Sequence, residues 1–153
     1  MSVIIQLSDG KELEFNPSIR TISTTLGAAK PGDKIRLASI SDTFIYFIYI
    51  YHQIPTPEKI VGEIKKTTFI DVFGPNFGTL LNRFCYQPNF DQEHSKEFEN
   101  MEQRNYASLT MLKQYHKDAE YLGMQHLADL LVAAMAVIVM RIAGPEKLQQ
   151  MLQ

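Results

Sequence analysis

The order of apolar patterns along this 153-residue chain predicts an α+β domain. Two short strand-like runs, Val3–Leu7 and Lys11–Phe15, stand at one end around Ser8-Asp9-Gly10. Two long helical patterns, Asn105–Leu122 and about Gln125 to Ile142, stand at the other. A third strand-like run, Lys34–Ala38, follows the turn residues Lys30-Pro31-Gly32-Asp33.

Each element has a local reason. Asp9-Gly10 between apolar runs predicts a β-hairpin, because glycine takes a left-handed turn position without the steric cost of a Cβ. The second run alternates polar and apolar side chains, so one of its faces meets a core. Asn16-Pro17-Ser18 turns the chain, and Ile19–Ala29 is a weak, threonine-rich helical stretch. Thr43–Tyr51 carries two opposed signals. Its aromatic and β-branched residues favour a strand. Ser41 or Asp42 as a cap, with Phe44, Phe47, Ile48 and Tyr51 on one face, favours a helix.

Beyond Ile54-Pro55-Thr56-Pro57 the pattern is least regular. Thr67–Phe73 reads as a strand, Phe77–Tyr86 as a short helix and Gln87–Glu102 as a polar loop. In Asn105–Leu122, the residues Leu109, Leu112, Tyr115 or His116, Ala119 and Leu122 recur at helical spacing, and Gly123 ends the helix. The next helix is expected to stop at Gly144-Pro145. Pro145–Leu152 then forms a separate terminal helix, with proline in its first turn and Glu146 at its positive end.

Composition narrows the function. A 45% hydrophobic chain of this length buries a core without metal or disulfides, and the single cysteine, Cys85, allows no intramolecular bridge. A formal charge of -2 with no dense basic block argues against nucleic acid as a partner. The opening residues have neither the basic start nor the apolar core of a secretory signal. Leu130–Met140 is apolar throughout but falls short of the roughly 20 residues a membrane span needs. The expected setting is cytoplasmic, nuclear or both.

Catalytic and metal chemistry find little support. Cys85 lies between Phe84 and Tyr86 with no adjacent activating group, so pairing with His94 or His116 is disfavoured against a packed thiol. His52, His94, His116 and His126 are too scattered for a zinc site. Glu97 and Glu99 read as surface charge, and Gly74-Pro75-Asn76-Phe77-Gly78 lacks phosphate-loop spacing. The expectation is a protein without catalytic residues, cofactor or metal.

The C-terminal helix is the candidate binding element. Leu127, Leu130, Leu131, Ala134 and Ile138 form a side that packs on the Leu109/Leu112 helix. Eleven consecutive apolar residues surround a helix completely, so Val132, Met135, Val139 and Met140 need cover as well, which a partner or second subunit can supply; the rival source is the unusual middle segment or the terminal helix. Met124, Met135, Met140 and Met151 suit an adaptable helix-binding surface.

Three stretches resemble the Skp1 family of adaptors with a BTB/POZ fold. They are Ile4–Phe15, with its Ser8-Asp9-Gly10 turn; Ile35–Leu37 with Thr43–His52; and Asp118–Asp129 with Gly144–Leu148. Phe90-Asp91-Gln92-Glu93 resembles the family's Trp-Asp-Gln-Glu. The resemblance implies that Thr43–His52 is a helix. It also implies a diverged, C-terminally short member: a BTB/POZ-like core over residues 1–123, an unusual middle segment at 54–100 and a partner-binding helical region over 124–153. The implied function is a protein-binding adaptor that links a helical or F-box-like partner to a cullin ubiquitin-ligase scaffold. The alternative is a BTB scaffold or oligomeric, for example homodimeric, subunit of a non-ligase complex. The family's cullin-facing Asn-Tyr pair corresponds to Glu120-Tyr121. The protein-binding candidates are therefore Tyr121, Met124, Leu127, Leu131, Val132, Met135, Val139, Met140, Pro145, Leu148, Met151 and Leu152.

Overall fold

The computed structural model describes residues 3–28, 32, 34–55, 69–85 and 101–152, with the backbone alone described at 71, 101–104 and 141–152. Strand β1 (Val3–Gln6) pairs antiparallel with β2 (Glu12–Phe15), in the register Val3 opposite Phe15 and Gln6 opposite Glu12. The hairpin closes where the Leu7 amide donates to the Lys11 carbonyl and the Gly10 amide to that of Leu7. Strand β3 (Lys34–Arg36) adds parallel to the other edge of β1, giving the order β2-β1-β3. Val3, Ile5 and Leu7 share one buried face by the two-residue period of a strand, and Phe15 joins them from β2.

A parallel pair needs a crossover, and two short helices provide it: α1 (Ile19–Ile22) and α2 (Thr24–Gly27). Each inserts one aliphatic anchor, Ile19 and Leu26, into the core. The single weak helix expected over Ile19–Ala29 is thus broken at Ser23, which adopts an extended conformation to cap α2.

Helix α3 (Asp42–Gln53) resolves the ambiguous aromatic stretch in favour of a helix. The Ser41 hydroxyl accepts from the Phe44 amide, and Asp42 sits at the positive end of the helix. Phe44, Ile45, Phe47, Ile48 and Tyr51 are buried along one side. Strand preference loses because these rings fill a pocket between helices. Phe47 meets Phe44, Phe77, Phe84 and Tyr115 at ring-centroid distances of 5.2–6.4 Å.

Asp42 also ties the sheet to α3. Its carboxylate accepts the Ser8 amide at 3.0 Å and the Ser8 hydroxyl. These bonds hold its pKa below the usual value. A lowered folded pKa means the stabilisation is complete above the unfolded carboxylate range and is lost as pH falls through the folded value. Asp42→Asn is therefore expected to be less stable than the parent at neutral pH, with the gap closing on acidification. Urea unfolding at pH 7 and at about pH 3 measures this. An unchanged gap contradicts the linkage.

The stretch expected as a strand around Thr67–Phe73 is instead helix α4 (Phe69–Phe73), with Thr67 and Thr68 outside the described residues. Its rings at Phe69 and Phe73 lie one turn apart, tilted by 44° with 6.3 Å between centroids. Gly74, at φ +84, then turns the chain directly into α5 (Pro75–Phe84). A Cβ on Gly78 would lie 2.6 Å from the Ile70 Cα, so α4 rests on α5 backbone to backbone. Packing at this distance overrides the β-branched composition that favoured a strand.

The two long helices are α6 (Met101–Tyr121) and α7 (Gln125–Leu152), which make the most extensive helix–helix contact among the described elements. The polar loop expected over Gln87–Glu102 lies outside the described residues up to Asn100, while Met101 and Glu102 already belong to α6. The separate helix expected over Pro145–Leu152 is corrected: α7 runs unbroken through Gly144 and Pro145. Proline's fixed φ is helical, and the missing Cβ of Gly144 removes part of the clash that a residue before proline normally suffers.

Candidate functional site

The junction of α6 and α7 is built as a rigid elbow. The Met124 amide donates to the Ala119 carbonyl at 2.9 Å and the Gly123 amide to Glu120 at 3.0 Å. With Gly123 at φ +68, this is the Schellman arrangement that ends a helix. The carbonyls of Tyr121 and Leu122, left without intrahelical donors, are taken by the α1–α2 crossover. Thr25 Oγ1 donates to Tyr121 at 2.9 Å, while Ser23 Oγ donates to Leu122 at 2.6 Å and the Thr25 amide at 3.3 Å. The Ser23 hydroxyl is buried and simultaneously accepts the Leu26 amide. Backbone strands of the elbow are therefore fixed, while the Tyr121 ring stands 61% exposed above them.

The predicted binding residues divide sharply. Tyr121 and Val132 are exposed, the latter by 38%, and Met135 and Met140 are half-buried. Met124, Leu127, Leu131 and Val139 are buried in the central core, where they offer nothing to a partner. For Pro145, Leu148, Met151 and Leu152 the side chains lie outside the described residues. Val139 is 4% exposed and already covered within the chain. Apolar residues do ring α7, but Leu130, Ala133, Ala136, Val137 and Ile138 join the same core as the sheet, α3 and α5. Cover comes from the chain's own fold.

Among the described residues of α7, the exposed ones are Gln125, His126, Asp129 and Val132, of which Gln125, Asp129 and Val132 form a stripe at helical spacing with Met135 at its edge. Gln125 and Asp129 hydrogen-bond to each other at 2.8 Å. Val132→Asp is expected to change stability by no more than about 0.5 kcal/mol, as on an open surface. Val139→Asp buries an unpaired carboxylate at a position 4% exposed and is expected to cost about 3 kcal/mol or more. Urea midpoints of the two variants test this division of the helix.

Cys85 is 2% exposed, and the His116 imidazole contacts the Glu120 carboxylate at 2.9 Å on the α6 surface. His94 lies outside the described residues. Within α6, burial pushes the Tyr115 hydroxyl and the Asp118 carboxyl upward, the latter countered by a hydrogen bond from Gln114. Among the described residues, no three His, Cys, Asp or Glu side chains form a metal-binding group, and no helix is long and apolar enough to cross a membrane.

The crossover's part in the elbow was hidden at the sequence level. Ser23-Thr24-Thr25 read as a poor helix former, and its clustered hydroxyls, which can bond backbone carbonyls, were the available signal. Solvent also reaches Tyr46, Ile70 and Tyr106. No protein-family model matches the chain, and no curated protein matches it significantly.

Proposed function

We propose that this chain is a protein-binding adaptor of the Skp1-like, BTB/POZ type, without catalytic activity, and that the α6–α7 elbow is its principal contact. The observation that carries the reading is Tyr121: a large aromatic ring left mostly in water while its backbone is bonded on both sides. An exposed aromatic on a fixed support needs little ordering when a partner covers it, which is how interface anchors gain their weight. The succession of hairpin, third strand, aromatic helix and long helix pair agrees with the order the resemblance implies. Tyr121 is also the residue that corresponds, by the resemblance, to the family's cullin-facing tyrosine, and the resemblance extends that contact to Thr43–His52, where Tyr46 of α3 is exposed.

On this reading a cullin-like scaffold packs on Tyr121, and a helical or F-box-like partner uses the Val132–Met135 side of α7. The buried residues of α7 support those surfaces from beneath. Affinity purification of the native protein, its Tyr121→Ala variant and its Val132→Asp variant, followed by mass spectrometry, tests the assignment. Loss of the ring is expected to weaken scaffold binding by about 2 kcal/mol, roughly thirtyfold in Kd, without loss of folding. Recovery of a cullin with F-box proteins by the native chain, and its loss in Tyr121→Ala, supports the adaptor. Equal recovery by all three chains, or a stable homodimer carrying neither partner, rejects it.

A further inference from the structure

A second site lies between the end of β2 and the last turn of α3. There a surface cavity of about 580 Å³ falls within the size range of small-ligand pockets. One wall is aromatic: the Tyr49 ring meets the buried Phe15 ring edge-on, 5.3 Å between centroids. The other walls are polar, with Glu14, Asn16 and Gln53 opening onto the space. Ser18 and His52 face each other at its edge, 2.8 Å between Oγ and Nε2.

The charges around this cavity have one sign. Glu14 is exposed, and among the described residues its carboxylate has neither an ion pair nor a hydrogen bond. Among the described residues, neither lysine nor arginine lines the space. Tyr49, His52 and Gln53 belong to the last turns of α3, whose C-terminal end carries the negative pole of a twelve-residue helix. Burial depresses the pKa of His52, which disfavours the charged imidazolium. The negative π-face of tyrosine adds to the same field.

We infer that this cavity binds an organic cation, an alkylammonium or guanidinium group, with its charge on Glu14 and its flank on Tyr49. Asn16 and Gln53 supply acceptors for the remaining N–H groups. The same chemistry occurs on a small free amine and on a lysine or arginine side chain of another polypeptide. This site is independent of the adaptor reading, because it involves neither Tyr121 nor α7.

The test is NMR titration of the full chain, following the Tyr49 and His52 ring resonances. Agmatine represents a free guanidinium compound, Nα-acetyl-lysine amide a peptide-borne ammonium, and 1-butanol a neutral control. Saturable shifts with either cation and none with butanol are expected. A response to the lysine derivative assigns a polypeptide side chain; where agmatine alone responds, Nα-acetyl-arginine amide is the deciding probe, its binding assigning an arginine side chain and its failure a small free amine. Glu14→Gln, at an exposed position, is expected to bind roughly fivefold more weakly, the scale of a partly exposed ion pair. Tyr49→Leu is expected to weaken binding by about threefold. No saturable shift, an equal response to butanol, or undiminished binding by Glu14→Gln overturns the inference.

Discussion

Replacing Gly123 with alanine is expected to cost about 2–4 kcal/mol of stability, although the change adds only one methyl group. Two separate penalties combine. At φ +68 an alanine occupies the left-handed region, unfavourable by about 1–2 kcal/mol. The new Cβ would also lie 1.8 Å from Thr24 Oγ1 and 3.2 Å from the Thr24 amide nitrogen. Moving Thr24 away disturbs the Ser23 and Thr25 bonds on either side of it, so relief in one place is a loss in another. Urea unfolding measures the total. The Gly123→Ala/Thr24→Gly double variant separates the two penalties: it removes the hydroxyl collision, retains the backbone strain and adds the entropic cost of a new glycine. Partial recovery is expected. If Gly123→Ala alone is as stable as the parent, the close packing of crossover and elbow is wrong.

Phe47→Ala is expected to be at least as damaging, at about 3–5 kcal/mol, because it opens a cavity where α3, α5 and α6 meet. Phe47 is fully buried and its ring touches four others: Phe44, Phe77, Phe84 and Tyr115. The loss is therefore shared among three helices. Phe47→Leu retains most of the volume and is expected to cost well under half as much. Thermal and urea unfolding of both variants, with near-ultraviolet circular dichroism reporting the surrounding rings, compare them. Similar behaviour of the alanine and leucine variants argues against a tightly packed aromatic centre.

The sequence disclosed the elements whose signals are local. Asp9-Gly10 located the hairpin, Gly123 located the end of α6, and Leu109, Leu112 and Ala119 identified its inward side. Thr43–Tyr51 was undecidable by intrinsic preference. Residues that favour strands also fill an aromatic interior, and which applies depends on rings contributed by Phe77 and Phe84, some thirty positions away. α4 failed for the same reason, since the approach of Ile70 to Gly78 is invisible to periodicity.

The site was legible in part. Tyr121 was marked by resemblance, and its exposure is a property of the folded chain. The source of cover for Val139 stayed open in the sequence, because helical geometry tells which residues face outward from an axis but not whether another element lies there. Gly144-Pro145 misled because a pair that usually marks a helix boundary lies inside α7.

The bond from Ser23 to Leu122 joins residues 99 positions apart. During vectorial synthesis, the crossover leaves the ribosome long before its acceptors exist, and Ser23 and Thr25 remain hydrated until the end of α6 has emerged. Contacts of such separation form after local ones, since loop closure must precede them. The Tyr121 platform is thus completed only when most of the polypeptide has been made. A nascent chain arrested before Gly123 carries the hairpin and the aromatic helix, while the elbow is still to be made.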